Sequence, residues 1–266
     1  MKIVFLGDIV AEAGRKAVKL FLPRVRDEFK PDFVIANGEN ASGGIGLTPN
    51  VADDLLACGI DLLTSGNHIW KHKEIADYLD RANCKVVRPM NYPYSSEYPT
   101  PGKGFYILEK NNKRVAVLNL LGRVFLDNVD CPFDSLEKFV SDVSSKENIP
   151  VVLDFHAEAT SEKIAMGWFV DGRVAAVLGT HTHVQTADNR ILPHGTAFIS
   201  DVGMCGAFDS VIGVDADLII KKLRTQRPVS FKFSEENKGI NGVMLQIDEE
   251  TGKAVSIEKI NIRERN

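Results

Sequence analysis

The chain has 266 residues, is 44% hydrophobic, and carries 32 basic against 36 acidic side chains, a formal net charge of −4. That length suits a single domain spanning residues 1–266 with a sizeable core, and the acidic balance excludes a nucleic-acid coat or an anionic-membrane binder, both of which need a basic surface. No stretch approaches the roughly 20 apolar residues that cross a bilayer, and the N-terminal run is too short for a signal peptide, so a cytoplasmic protein is expected. Cys58, Cys84, Cys131 and Cys205 are too scattered for a thiolate zinc site or a disulfide framework.

The first eighty residues predict β-α-β-α-β-α. Ile3–Leu6 is a near-continuous apolar run, as in a strand buried on both faces. Gly14–Lys30 carries a helical stripe through Val18, Leu22, Val25 and Phe29, which Pro23 interrupts and Pro31 stops. Phe33–Ala36 is the second strand. Thr48-Pro49 opens a helix that ends near Gly59. Asp61–Thr64 is the third strand, and Lys71–Arg81 the next helix. Pro89–Gly104 reads as a loop, and Gly104–Glu109 with Arg114–Leu120 as a hairpin. Beyond it come a helix over Asp134–Ser144, a strand over Pro150–His156, a helix over Ser161–Val170 and an apolar run at Val174–Leu178. The last third is expected to hold strands at Ala197–Ser200, Val229–Phe233, Val243–Ile247 and Ala254–Ile262. Strands alternating with helices imply an α/β fold with largely parallel pairing, here with two packed sheets.

The chemistry gathers where the strands end. Asp8 follows the first strand, Glu39-Asn40 the second and Asn67-His68 the third; His156 closes a fourth, and His181-Thr182-His183 follows Val174–Leu178. Residues two apart in extended backbone point the same way, so His181 and His183 address one point. Polar groups that serve a ligand collect at the C-terminal ends of parallel strands. Three imidazoles, two carboxylates and two amide oxygens are too many for one tetrahedral ion, but they suffice for two ions sharing a carboxylate, with Glu39 as the bridge. Imidazoles favour Fe, Mn or Zn over Mg or Ca. A pair of such ions makes a hydroxide available at neutral pH and clamps phosphoryl oxygens for in-line attack, so phosphate-ester hydrolysis is the expected reaction class. His68, beside the cluster, suits a proton donor to a leaving oxygen. His72 reads as a rim residue and His194 as a turn residue.

Gly7-Asp8, Gly38-Glu39-Asn40, Gly66-Asn67-His68, His156 and Gly179-Thr180-His181-Thr182-His183 together resemble the calcineurin-like metallophosphoesterases. Val10 stands where the superfamily's Asp-x-His opening has its histidine, Glu39-Asn40 replaces an Asp-centred motif, and Ile69 follows His68. Those departures, with Ala36–Ala41, Gly179–Asp188 and Asp201-Val202-Gly203-Met204, resemble the YmdB-like branch across essentially the whole chain. The resemblance implies a four-layer αββα sandwich and a di-iron or di-manganese centre. It also implies hydrolysis of 2′,3′-cyclic nucleotides to 3′-nucleotides, with a metal-bridging hydroxide as nucleophile. It assigns Asp8, Glu39, Asn40 and His183 to one metal, Glu39, Asn67, His156 and His181 to the other, and proton donation to His68. A phosphatase, a broad phosphodiesterase or a non-catalytic regulatory scaffold would share much of this sequence. The partner implied is a small phosphodiester, with no stable nucleic-acid binding and with homo-oligomerisation left open. Asn91–Tyr94 and Gly203–Gly213 are expected to border the pocket.

Overall fold

The computed structural model describes residues 1–144 and 149–264. In chain order its strands are β1 (Lys2–Leu6), β2 (Asp8–Ile9), β3 (Phe33–Asn37), β4 (Leu62–Thr64), β5 (Phe105–Lys110), β6 (Lys113–Leu121), β7 (Val151–His156), β8 (Ala176–Thr180), β9 (Arg190–Ile191), β10 (Ala197–Ile199), β11 (Met204–Ala207), β12 (Lys238–Ile247) and β13 (Ala254–Arg263). Its α-helices are α1 (Ala11–Phe29), α2 (Pro49–Ala57), α3 (Ile75–Leu79), α4 (Pro132–Phe139), α5 (Thr160–Val170) and α6 (Ala216–Thr225).

One sheet runs β2-β11-β12-β1-β3-β4, with β13 also paired to β12; the other runs β5-β6-β7-β8-β10-β9. The parallel ladders β1–β3–β4 and β6–β7–β8–β10 carry the strand ends that matter for the site. Alternation along the strands then divides the core. Ile3, Phe5, Phe33 and Ile35 meet Val115, Val117, Val152 and Leu178 between the two sheets. Val4, Leu6, Val34 and Ala36 turn the other way, onto Val18, Leu22 and Leu55 of α1 and α2. Leu118, Leu120, Leu153 and Phe155 turn outward onto Leu136, Met166 and Val170 of α4 and α5. Helix, sheet, sheet and helix layers follow, the expected αββα sandwich. Each large side chain fully buried there contributes about 1.5–3 kcal/mol relative to exposure.

Several local expectations change. Pro23 does not interrupt α1: it lies on the exposed side, where the carbonyl it leaves unpaired can meet water. The helix expected over Lys71–Arg81 is a 3₁₀ turn, Ile69–Lys71, and then the short α3, because His72 is extended between them with its Nε2 on the Ile45 carbonyl at 3.0 Å. The helix expected over Asp134–Ser144 begins at Pro132 and widens into a π-helical turn at Val140–Ser144. Val229–Phe233 has β-forming residues but forms no ladder; Phe233 makes an isolated bridge to Val214, with its ring over Gly44. No helix among the described residues is long and apolar enough to cross a membrane.

Candidate metal centre

The C-terminal ends of β1, β3, β4, β7 and β8 open onto one point between the sheets. Register does this: His156 stands opposite Thr180 on β8, so the end of β7 lies beside the His181–His183 turn. Glu39 and His156 are buried, with Glu39 Oε1 3.2 Å from His156 Nε2, and His156 Nε2 is 3.0 Å from His181 Nδ1. Donor atoms of Glu39, His156 and His181 all lie within 4.8 Å of one another. Asn40 Nδ2 lies 3.3 Å from Glu39 Oε1 and 3.2 Å from His183 Nε2. Asp8, also buried, places Oδ1 4.0 Å from His183 Nε2 and accepts the His181 backbone N–H on Oδ2 at 3.2 Å. Gly66 allows this closeness, for a Cβ there would sit 2.0 Å from Glu39 Oε2 and 2.5 Å from His156 Nε2.

Each of the three imidazoles is oriented through its far nitrogen. His156 Nδ1 donates to Thr180 Oγ1 at 2.8 Å, and that hydroxyl donates to Asp154 Oδ1 at 2.7 Å. Asp154 Oδ2 accepts in turn from Thr64 Oγ1 and Asn37 Nδ2, so a buried polar chain ties His156 to the opposite sheet. His181 Nε2 lies 3.1 Å from Glu158 Oε2, and His183 Nδ1 donates to the Ile212 carbonyl at 2.9 Å. These contacts leave His156 Nε2, His181 Nδ1 and His183 Nε2 facing inward. Such outer hydrogen bonds fix tautomer and ring direction in metal sites. His181 and His183 have φ of 105° and 66°, left-handed values that non-glycine residues adopt at a cost.

The electrostatics fit a cation. Asp8 Oδ1 and Asn67 Oδ1 are buried and meet no hydrogen-bond partner among the described residues. An unpaired buried oxygen costs roughly 1–3 kcal/mol, a cost that a cation bound at each would relieve. Burial raises the Asp8 carboxyl, although His183 and His156 pull against it. Burial also works against ionised Glu39, but His156 and His68 outweigh it and hold Glu39 well below the usual carboxylate range. His156 suffers the same desolvation, yet Glu39 and Asp8 push it up to about 9. His181 is pushed down to about 3 by burial and by His156, which keeps its inward nitrogen free of a proton.

His68 is held beside the cluster. Its Nδ1 lies 2.8 Å from Asn40 Oδ1 and 3.1 Å from Glu39 Oε1, while its backbone N–H donates to Glu39 Oε2. A cavity of about 290 Å³ opens over Glu39, Asn40, His68, His181 and His183. The structure brings Asp8, Glu39, Asn40, His68, His156, His181 and His183 together, whereas the buried Asn67 Oδ1 makes no hydrogen bond and Asn40 presents Nδ2 rather than Oδ1 to Glu39 and His183. His72 bonds the Ile45 carbonyl and His194 sits in a turn, as expected. Ile212 does border the cavity. Asn91 does not; it is buried, bonded to Leu121 and Asp130 as a loop brace, and Tyr94 is exposed. Sequence reasoning missed Glu158, Thr180, Asp154 and Asp201. Glu158 alone had a signal, its place two residues after His156; the extended backbone expected to align His181 with His183 is not found, since both residues have positive φ and meet the cluster through a turn.

The profile of the YmdB-like protein family matches residues 4–260. The chain is 48% identical to a 2′,3′-cyclic-nucleotide 2′-phosphodiesterase of Bacillus subtilis (strain 168), over 99% of this chain and 98% of that protein. A crystal structure of a hypothetical protein from Thermus thermophilus superposes with a TM-score of 0.91 at 40% identity, covering 100% of both chains. The calcineurin-like phosphoesterase YfkN of Bacillus subtilis shares the fold at 11% identity, with a TM-score of 0.57 over 99% of this chain and 90% of that one. Strand-end donors, a double-sheet sandwich and a match across nearly every residue agree: the chain belongs to the YmdB-like family and has the calcineurin-like phosphoesterase fold.

Proposed function

We propose that the protein is a dinuclear metal-dependent phosphodiesterase that hydrolyses 2′,3′-cyclic nucleotides to 3′-nucleotides. The observation that carries this is the convergence of three inward-facing imidazole nitrogens, Glu39 and two orphaned buried oxygens. The activity named for the 48% identical relative supplies the substrate class. In this reading Asp8, Glu39, Asn40 and His183 hold one ion, and Glu39, Asn67, His156 and His181 hold the other. Mixed imidazole, carboxylate and amide donors suit Fe or Mn. When bound, such a pair supplies an activated water and neutralises charge on the phosphoryl oxygens.

The chain's own part is positioning and proton transfer. A water oxygen bonds to phosphorus as the bond from phosphorus to the ribose 2′ oxygen breaks, and the phosphate stays on the 3′ oxygen. In this reading Asn40 turns its amide, so that Nδ2 rather than Oδ1 faces His68 Nδ1 and donates to it, which leaves Nε2–H to give the departing 2′ oxygen its proton. Because donors come from both sheets, residues 1–266 act as one domain, and a cytoplasmic enzyme on a small phosphodiester is the matching setting. Comparing turnover of 2′,3′-cyclic AMP, 3′,5′-cyclic AMP and a phosphoserine peptide tests the reading. Preference for the first, with 3′-AMP released, is expected; preference for the peptide would overturn it.

A further inference from the structure

Glu158 stands where a negative charge is unwelcome to phosphate. It follows His156 by two residues, its side chain is 47% exposed, and its Oε2 lies 3.1 Å from His181 Nε2. It lines the cavity over the metal centre, and among the described residues no lysine or arginine lines that cavity. The buried cation behind the turn, Lys163, is engaged by Asp201 at 2.9 Å, and Arg15 by the Ala41 carbonyl. A phosphomonoester carries close to two negative charges above its second pKa of about 6, whereas a diester carries one. Sites that hold a phosphate dianion usually add guanidinium or ammonium donors. Here the extra charge would find none in the described cavity wall and would face a carboxylate instead.

We infer that Glu158 is a specificity-determining residue that selects monoanionic diesters and repels dianionic monoesters. This rests on the phosphodiesterase reading above and deepens it. The same charge that keeps monoester substrates out also disfavours the product, because a 3′-nucleotide is itself a dianionic monoester. Glu158 thus limits hydrolysis to one step and assists product release.

The test is Glu158→Gln in the full-length, metal-loaded protein at pH 8. Glutamine keeps a carbonyl to accept from His181 Nε2, so charge alone is removed. Three quantities are read: metal per chain, kcat/KM for 2′,3′-cyclic AMP and for p-nitrophenyl phosphate, and 3′-AMP affinity by calorimetry. Removing one nearby charge in a partly screened site should raise the monoester-to-diester ratio about tenfold, mainly through KM, and tighten 3′-AMP by about the same factor. Metal content should not change. An unmoved ratio and unmoved 3′-AMP affinity in a metal-replete variant would overturn the inference, as would loss of a metal, which would assign Glu158 to holding His181. Wild-type protein inactive on every diester would instead sink the phosphodiesterase reading, and this inference with it.

Discussion

Lys163 Nζ lies 2.9 Å from Asp201 Oδ2, with the two side chains only 2% and 1% exposed. The same oxygen accepts the backbone N–H and the hydroxyl of Thr182 at 2.9 and 2.7 Å. Thr182 sits between His181 and His183, whose positive φ values cost about 1–3 kcal/mol each. The buried pair therefore anchors a strained turn that carries two proposed ligands. Removing one partner of a buried ion pair leaves an uncompensated charge and costs about 3–5 kcal/mol. Lys163→Met or Asp201→Leu alone should show that loss in chemical denaturation. The double variant should regain much of the stability while metal content stays low, because Thr182 has still lost its anchor.

Thr180 links His156 to Asp154, and its effect should be read in metal affinity. Thr180→Val removes the acceptor for His156 Nδ1–H, and loss of such an outer partner typically weakens metal binding about 10–100-fold. Thr180→Ser keeps the hydroxyl and should restore most of the affinity. Equal affinities for valine and serine variants, by competition with a chelating dye, would remove Thr180 from the account.

The chelator-treated protein should show an unusual alkaline loss of stability. The His156 pKa in the fold, about 9, lies above its ordinary value of 6.5. Its contribution is therefore complete below pH 6.5 and is lost as pH rises through about 9. His181, pushed down to about 3, opposes it only below its ordinary 6.5. Tm of metal-free protein should fall between about pH 7 and pH 9.5, and the slope should flatten in His156→Ala. A flat wild-type profile would contradict the Glu39–His156 coupling.

What could be read from sequence was what has a local pattern. Ile3–Leu6 and Phe33–Ala36 are apolar runs because both faces of those strands are covered, and the residues after them are polar because the strand ends meet a ligand site. Two-residue β2 has no period to detect; it forms because Met204 and Cys205 lie alongside it. Helix α6 carries an apolar side through Ile219, Ile220 and Leu223, and Asp215 caps it by accepting from the Leu218 N–H at 3.1 Å, yet it buries no residue fully and was not read from the sequence. Asp154, Thr180 and Asp201 were invisible for another reason. Their roles depend on partners 24 to 117 residues away, or 19 to 38 in the case of Asp201, which only the paired sheets bring together.

His68→Ala should separate chemistry from metal binding. His68 contacts Asn40 and Glu39 but is not needed to complete either donor set. The variant should keep both metals and lose about 10²–10⁴-fold in turnover, the usual contribution of a positioned acid. A leaving group of low pKa, such as p-nitrophenolate, should recover part of that loss. Loss of a metal would make His68 a ligand instead.

The central claim is that this donor cluster holds two transition metals and uses them on a cyclic phosphodiester. Metal content by mass spectrometry, on protein purified without chelators and assayed from the same sample with 2′,3′-cyclic AMP, tests it most directly. The account predicts nearly two Fe or Mn per chain and release of 3′-AMP. Neither metal nor turnover after reconstitution with Fe or Mn, or release of 2′-AMP in place of 3′-AMP, would contradict it.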